Sequence, residues 1–293
     1  MTKGKLPRQF IRLDFRFGKR KFTLEYEILL MLIGNEIHFK RDILVQKVLD
    51  KYSADLHAFQ KLSIIPKTLD SLFILIRAIE AMKNSVFVLS ETKNLYSINV
   101  LNRSLIEHFI RVHYVFLKSM EGKDSNDDSI GVRYFETLYK KEQLDAGNAI
   151  KKYASIINVD TPEAKKQLEN FNNLKARIDP KSVTDLGIEF GYKSMIEYIE
   201  KFLNKEKSKE KSFMAAAILD YSELSSFVHG GRYAYEIMMK TKEENKLEHQ
   251  LAISVGSAQV TYGNSVSFLF MRLMFVDTKF EKAYWEVKEA MNA

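Results

Sequence analysis

From Phe22 onward, apolar positions along the chain recur at helical spacing. Leu24, Ile28, Met31 and Leu32 lie on one stripe, and Ile43, Leu44, Val48 and Leu49 continue it after a polar interruption. Upstream the period changes. In FIRLDFRF, residues 10–17, Ile11, Leu13, Phe15 and Phe17 alternate with Arg12, Asp14 and Arg16, which predicts one β-strand. Pro66 opens a strongly apolar helix over about 67–91, and further helices are predicted over about 95–119 and 132–155, separated by the acidic, polar loop 121–131. Thr161 followed by Pro162 and Glu163 reads as a helix start. Pro180, Gly187 and Gly191 break the next stretch into short helical turns, and NKEKSKEKS at 204–212 reads as an exposed charge run or linker. A helix over about 212–229 is closed by Gly230 and Gly231, and two more, over about 245–275 and 278–291, finish the chain. No repeat occurs at fixed spacing, so the pattern predicts one all-α, helical-bundle-like domain over 22–293 behind a short extension, residues 1–21.

Composition agrees with a folded protein, because 46% hydrophobic content across 293 residues suffices to bury a substantial core. Apolar runs such as Ile28–Ile33 fall far short of the roughly 20 residues that cross a bilayer, and residues 1–21 lack the apolar centre of a signal peptide. The expectation is a cytoplasmic protein without a membrane partner. The absence of cysteine excludes disulfides, thiolate nucleophiles and cysteine-ligated metal centres. The net charge of +7 is concentrated at one end. Lys3, Lys5, Arg8, Arg12, Arg16, Lys19, Arg20 and Lys21 face only Asp14 in the first 21 residues, and the rest of the chain is balanced. Arg12, Arg16, Lys19 and Arg20 are therefore candidate phosphate contacts, with a solvated tail or edge strand as the alternative.

Two stretches carry candidate chemistry. In LNRSLIEHFIRVHYVF, residues 101–116, Arg103, Glu107 and Arg111 are spaced i, i+4, i+8, with His108 and His113 on neighbouring faces. In YSELSSFVHGG, residues 221–231, Tyr221, Ser225 and His229 share one helix face just before the glycines. Packed side by side, the two helices would set Arg103 and Glu107 against Ser225 and His229, with Tyr221 one turn further along. A carboxylate beside imidazole raises its pKa toward neutrality, which suits proton transfer. The alternatives are an Arg–Glu helix ion pair, a histidine facing the carbonyl end of a helix dipole, and a core tyrosine. Zincin, diiron, P-loop, dinucleotide and Gly-x-Ser-x-Gly patterns are absent, so no metal and no cofactor is expected.

Arg103 followed after four residues by His108 resembles the active-site signature of the HEPN superfamily of helical ribonucleases. A closer resemblance joins both stretches: Arg103 and Glu107, then Tyr221, Leu224, Ser225, Val228, His229 and Gly230, resemble the paired motifs of an uncharacterised bacterial family, a domain of unknown function, over about residues 70–270. The resemblance implies a helical domain and, through HEPN, a metal-independent ribonuclease acting as a toxin or antiphage effector, assembled as a homodimer or with a protein partner of a defence system. In that reading Arg103 is an electrostatic clamp, His229 or His108 the acid/base, Glu107 its orienting carboxylate and Ser225 a positioning group, while Tyr221 and Arg111 help to hold RNA. The competing expectation is a non-catalytic helical module, binding protein or nucleic acid, in which Arg103, Glu107, Ser225 and His229 form a structural polar cluster.

Overall fold

The computed structural model describes residues 40–121, 127–157, 161–177, 187–205 and 211–293, and among these the regular structure is helical throughout. The all-α expectation holds. The strand-like FIRLDFRF segment, the basic arm with Arg12, Arg16, Lys19 and Arg20, and the Leu24–Leu32 stripe lie outside the described residues.

The helices are α1 (40–51), α2 (Ser53–Leu62), α3 (Pro66–Glu91), α4 (Leu95–Glu121), α5 (Ser129–Ile157), α6 (Pro162–Arg177), α7 (Tyr192–Lys205), α8 (Lys211–Val228), α9 (Arg232–Glu243), α10 (Leu247–Val276) and α11 (Glu281–Asn292). Three long ones, α3, α4 and α10, pack on one another and form the centre. Around them α5 lies on α3 and α4, α7 and α8 on α4, α6 on α5, α9 on α8, and α11 on α10. Burial of Leu69, Leu72, Ile76 and Ile79 from α3, Phe109, Ile110 and Val112 from α4, and Val266, Leu269, Phe270 and Leu273 from α10 removes their apolar surface from water, at about 1.5–3 kcal/mol for each large side chain.

The helix ends show why the segments stop and start here. Pro66 is at the first position of α3, and the free N–H groups of Lys67 and Thr68 donate to the Asp128 carboxylate at 2.9 and 2.7 Å. That remote cap works because α5 enters against α3 at Gly131, where a Cβ would collide with the Thr68 backbone. α4 is capped by Asn94, whose Oδ1 accepts from Ser97 N at 3.1 Å. α8 ends where Gly230 takes φ +62, and Gly231 N donates back to the Ser226 carbonyl at 2.9 Å, closing the helix as the glycine pair predicts. One element departs from the sequence reading. Arg232–Glu243 forms a separate helix, which the double glycine and the polar composition had concealed between the predicted 212–229 and 245–275 segments.

Candidate functional site

The centre of the site is built entirely on α4. One turn separates each of Arg103, Glu107 and Arg111, so the three stack along one face while Leu105, Phe109 and Ile110 turn into the core. Arg103 Nη1 donates to Glu107 Oε2 at 2.7 Å, and Arg111 Nη2 donates to Glu107 Oε1. Both carboxylate oxygens are thus engaged by different guanidinium groups. The triad keeps a net charge of +1, and its side chains are about one-fifth exposed, at 23% for Arg103, 19% for Glu107 and 23% for Arg111. It is neither sealed in the core nor free in solvent.

A tyrosine from α8 meets the triad, and one from α7 stacks on that tyrosine. Arg103 Nη2 donates to the Tyr221 hydroxyl, and its guanidinium carbon lies 4.6 Å from the Tyr221 ring centroid. The Tyr192 ring, at the start of α7, stacks on Tyr221 at 3.6 Å with planes 15° apart. Tyr134 from α5 is buried. Burial first, and the Glu107 charge among other causes, raises the hydroxyl pKa of Tyr134, Tyr192 and Tyr221, so all three stay protonated. Tyr134 and Tyr192 carry no motif and sit at ordinary core spacing, which is why sequence reasoning passed over them.

The register between α8 and α4 differs from the one the motifs suggested. Tyr96 donates to the Phe227 carbonyl near the start of α4, while Tyr221 meets Arg103 two turns further along, so α8 runs antiparallel to α4. Tyr221 is therefore the α8 residue opposite Arg103. Ser225 lies a turn closer to Tyr96, and its hydroxyl donates to the Tyr221 carbonyl of its own helix at 2.7 Å. His229 follows the end of α8, about 12 Å along the axis from Tyr221, exposed and without a side-chain hydrogen bond among the described residues. The motifs do share one helix pair, but it brings together Arg103, Glu107, Arg111 and Tyr221 and leaves Ser225 and His229 outside that set of contacts.

His108 has a defined proton arrangement. Its Nδ1 is 2.8 Å from the Ser104 carbonyl, which can only accept, so Nδ1 bears the proton and Nε2 presents its lone pair. Burial, with the Arg111 charge as a lesser cause, lowers the imidazole pKa, and the ring is neutral at pH 7. His113 on the core side is stacked 4.7 Å from Phe268 and pushed down to about 4 by burial. Among the described residues no group of three or more histidine, aspartate and glutamate side chains could hold a metal ion, and no helix is long and apolar enough to cross a membrane. No family model, curated protein or solved structure matches the chain.

Proposed function

We propose that the protein is a helical nucleic-acid-binding protein in which the Arg103 centre receives a backbone phosphate. The carrying observation is an excess of cationic charge: Arg103 and Arg111 share the single carboxylate of Glu107 on one partly exposed helix face. A purely structural ion pair would balance its charges and be sealed from solvent. This one has a net positive charge and partial access to solvent. The basic residues 1–21 add a second source of phosphate affinity.

The test is fluorescence anisotropy of a labelled single-stranded RNA over a range of salt. Arg103→Ala should weaken binding about tenfold, as expected when a charged donor to phosphate is lost. Deleting residues 1–21 should instead flatten the salt dependence while leaving the helical fold intact. RNA affinity that neither change moves would remove the proposal.

A second reading, the metal-independent ribonuclease of the HEPN resemblance, draws on the His108 tautomer. A neutral imidazole with Nε2 free can take the 2′-hydroxyl proton as that oxygen bonds to phosphorus, and return it to the departing 5′-oxygen, while Arg103 steadies the charge on the phosphoryl oxygens. Incubation with total RNA in excess chelator decides it. Cleavage lost in a folded His108→Ala variant and retained in His229→Ala assigns the proton transfer to His108, and intact RNA with every variant leaves binding alone.

A further inference from the structure

The turn between α8 and α9 passes beside an exposed aromatic ring of α4. Tyr96, the second residue of α4, is 40% exposed, yet its hydroxyl is fixed: it donates to the Phe227 carbonyl at 2.5 Å, and the ring meets Phe227 edge-to-face at 5.5 Å between centroids. Gly230 follows in the turn with φ +62, and a Cβ built there would have only the Tyr96 hydroxyl within 4 Å, at 3.9 Å. The chain thus runs past the ring without a side chain at the point of approach. The neighbours of Gly230 are open to solvent as well: His229 before it, and Arg232 and Tyr233 just after it, with Tyr233 48% exposed. Two aromatic rings, an imidazole and a guanidinium therefore gather at one accessible end of the α4–α8 pair.

This end is continuous with the Arg103 centre. Tyr96 and Arg103 are seven positions apart, close to two full turns of α4, so the two side chains leave the same side of the helix about 10 Å apart along its axis. We infer that Tyr96 and Tyr233 form a stacking platform for unpaired bases of a single strand whose backbone phosphate lies at Arg103. The inference rests on the nucleic-acid reading above, and adds to it the class of strand the site takes. Each base has a π-face that only an unstacked strand exposes, and aromatic side chains beside cationic groups are suited to hold it. In a duplex the phosphates of one strand advance about 3.4 Å per base pair, and an unstacked strand reaches further, so about 10 Å spans only a few nucleotides. The net positive triad on the same side of α4 selects a polyanion, in preference to an apolar protein surface, as the occupant of this patch. Tyr96 is ordered before any base arrives, because its hydroxyl bond and its packing on Phe227 hold the ring in place.

The experiment is fluorescence anisotropy of the full chain at fixed salt with three labelled probes of equal length: oligouridine, an abasic strand that keeps the phosphates and lacks the bases, and oligouridine annealed to oligoadenosine. Oligouridine should bind about tenfold tighter than the abasic strand, the scale of one stacked base, and tighter than the duplex despite the greater charge of the duplex. Tyr233→Ala and Tyr96→Leu should each weaken oligouridine several-fold and leave the abasic strand unmoved, whereas Tyr96→Phe, which keeps the ring, should retain the affinity. Equal affinity for oligouridine and the abasic strand, or unchanged oligouridine affinity in Tyr233→Ala or in a folded Tyr96→Leu, would overturn the proposal and leave the patch to a protein partner. Its failure is distinct from failure of the nucleic-acid reading. Strands that bind equally and all lose affinity with Arg103→Ala remove only the platform. Base-dependent binding that ignores Arg103→Ala removes only the phosphate centre, and no binding of any strand removes both.

Discussion

Two ion-paired centres in this helical body share the same parts and differ in how those parts are counted. Lys83 on α3 donates to both oxygens of Asp42 on α1, and its ammonium lies 4.4 Å from the Tyr262 ring centroid. Arg103 on α4 donates to Glu107 and lies over Tyr221 in the same manner. The first is one cation with one anion, at 6% and 18% side-chain exposure, and it leaves no formal charge behind. The second places two cations on one anion and sits about one-fifth exposed. Pairing stoichiometry and exposure separate a tie between helices from a place where a ligand can act.

The largest expected effect falls on the balanced pair. Asp42→Ala strands Lys83 in the core without its counter-charge, which should cost about 3–5 kcal/mol in urea unfolding. Combining it with Lys83→Met should recover most of that loss, because an apolar stem then fills the same space. A loss under about 1 kcal/mol for Asp42→Ala would mean that Lys83 reaches water, and the contrast between the two centres would collapse.

Acid should weaken the sealed part of α4, where His113 is buried. His113 is 5% exposed, and burial holds its pKa at about 4, against about 6.5 in an unfolded chain. A folded-state value below the unfolded one means that the unfolded chain takes the proton first. The contribution of neutral His113 is thus complete above about pH 6.5 and is lost as pH falls toward about 4, by on the order of 3 kcal/mol. Urea midpoints between those limits should fall in the wild type and flatten in His113→Phe. Parallel curves for the two proteins would show that the stacked imidazole is not the acid-sensitive group.

The boundaries of α3, α4 and α8 were legible in the sequence, because each is written in local chemistry: Pro66 at a helix start, the apolar stripe from Leu105 to Phe116, and the glycines at 230 and 231. The Arg103–Glu107–Arg111 face was legible for the same reason, since i, i+4 spacing on one helix fixes who meets whom. The register of α8 on α4 was not. Register between two helices is decided by side-chain packing, here Tyr96 against Phe227 and Arg103 against Tyr221, and the linear order of Tyr221, Ser225 and His229 contains no mark of which one will stand opposite Arg103. Tyr134 and Tyr192 were hidden for a related reason. A buried tyrosine looks alike in sequence whether or not its hydroxyl finds a partner. Arg232–Glu243 was missed because only Ala234 and Thr241 are buried in it, so its apolar stripe is too thin to announce a helix.

The smallest stability effect, and the sharpest test of the contrast, belongs to Glu107→Gln. In the balanced centre, loss of the carboxylate strands a buried cation; in the triad the arginines already reach solvent, and glutamine retains an oxygen that can accept from one of them. Stability should fall by only about 1 kcal/mol. Ligand binding should move the other way, because the net charge of the site rises from +1 to +2 when the carboxylate is neutralised. If Glu107→Gln instead destabilises the fold as heavily as Asp42→Ala and leaves RNA affinity unchanged, the triad is a tie between helices like the Lys83 pair.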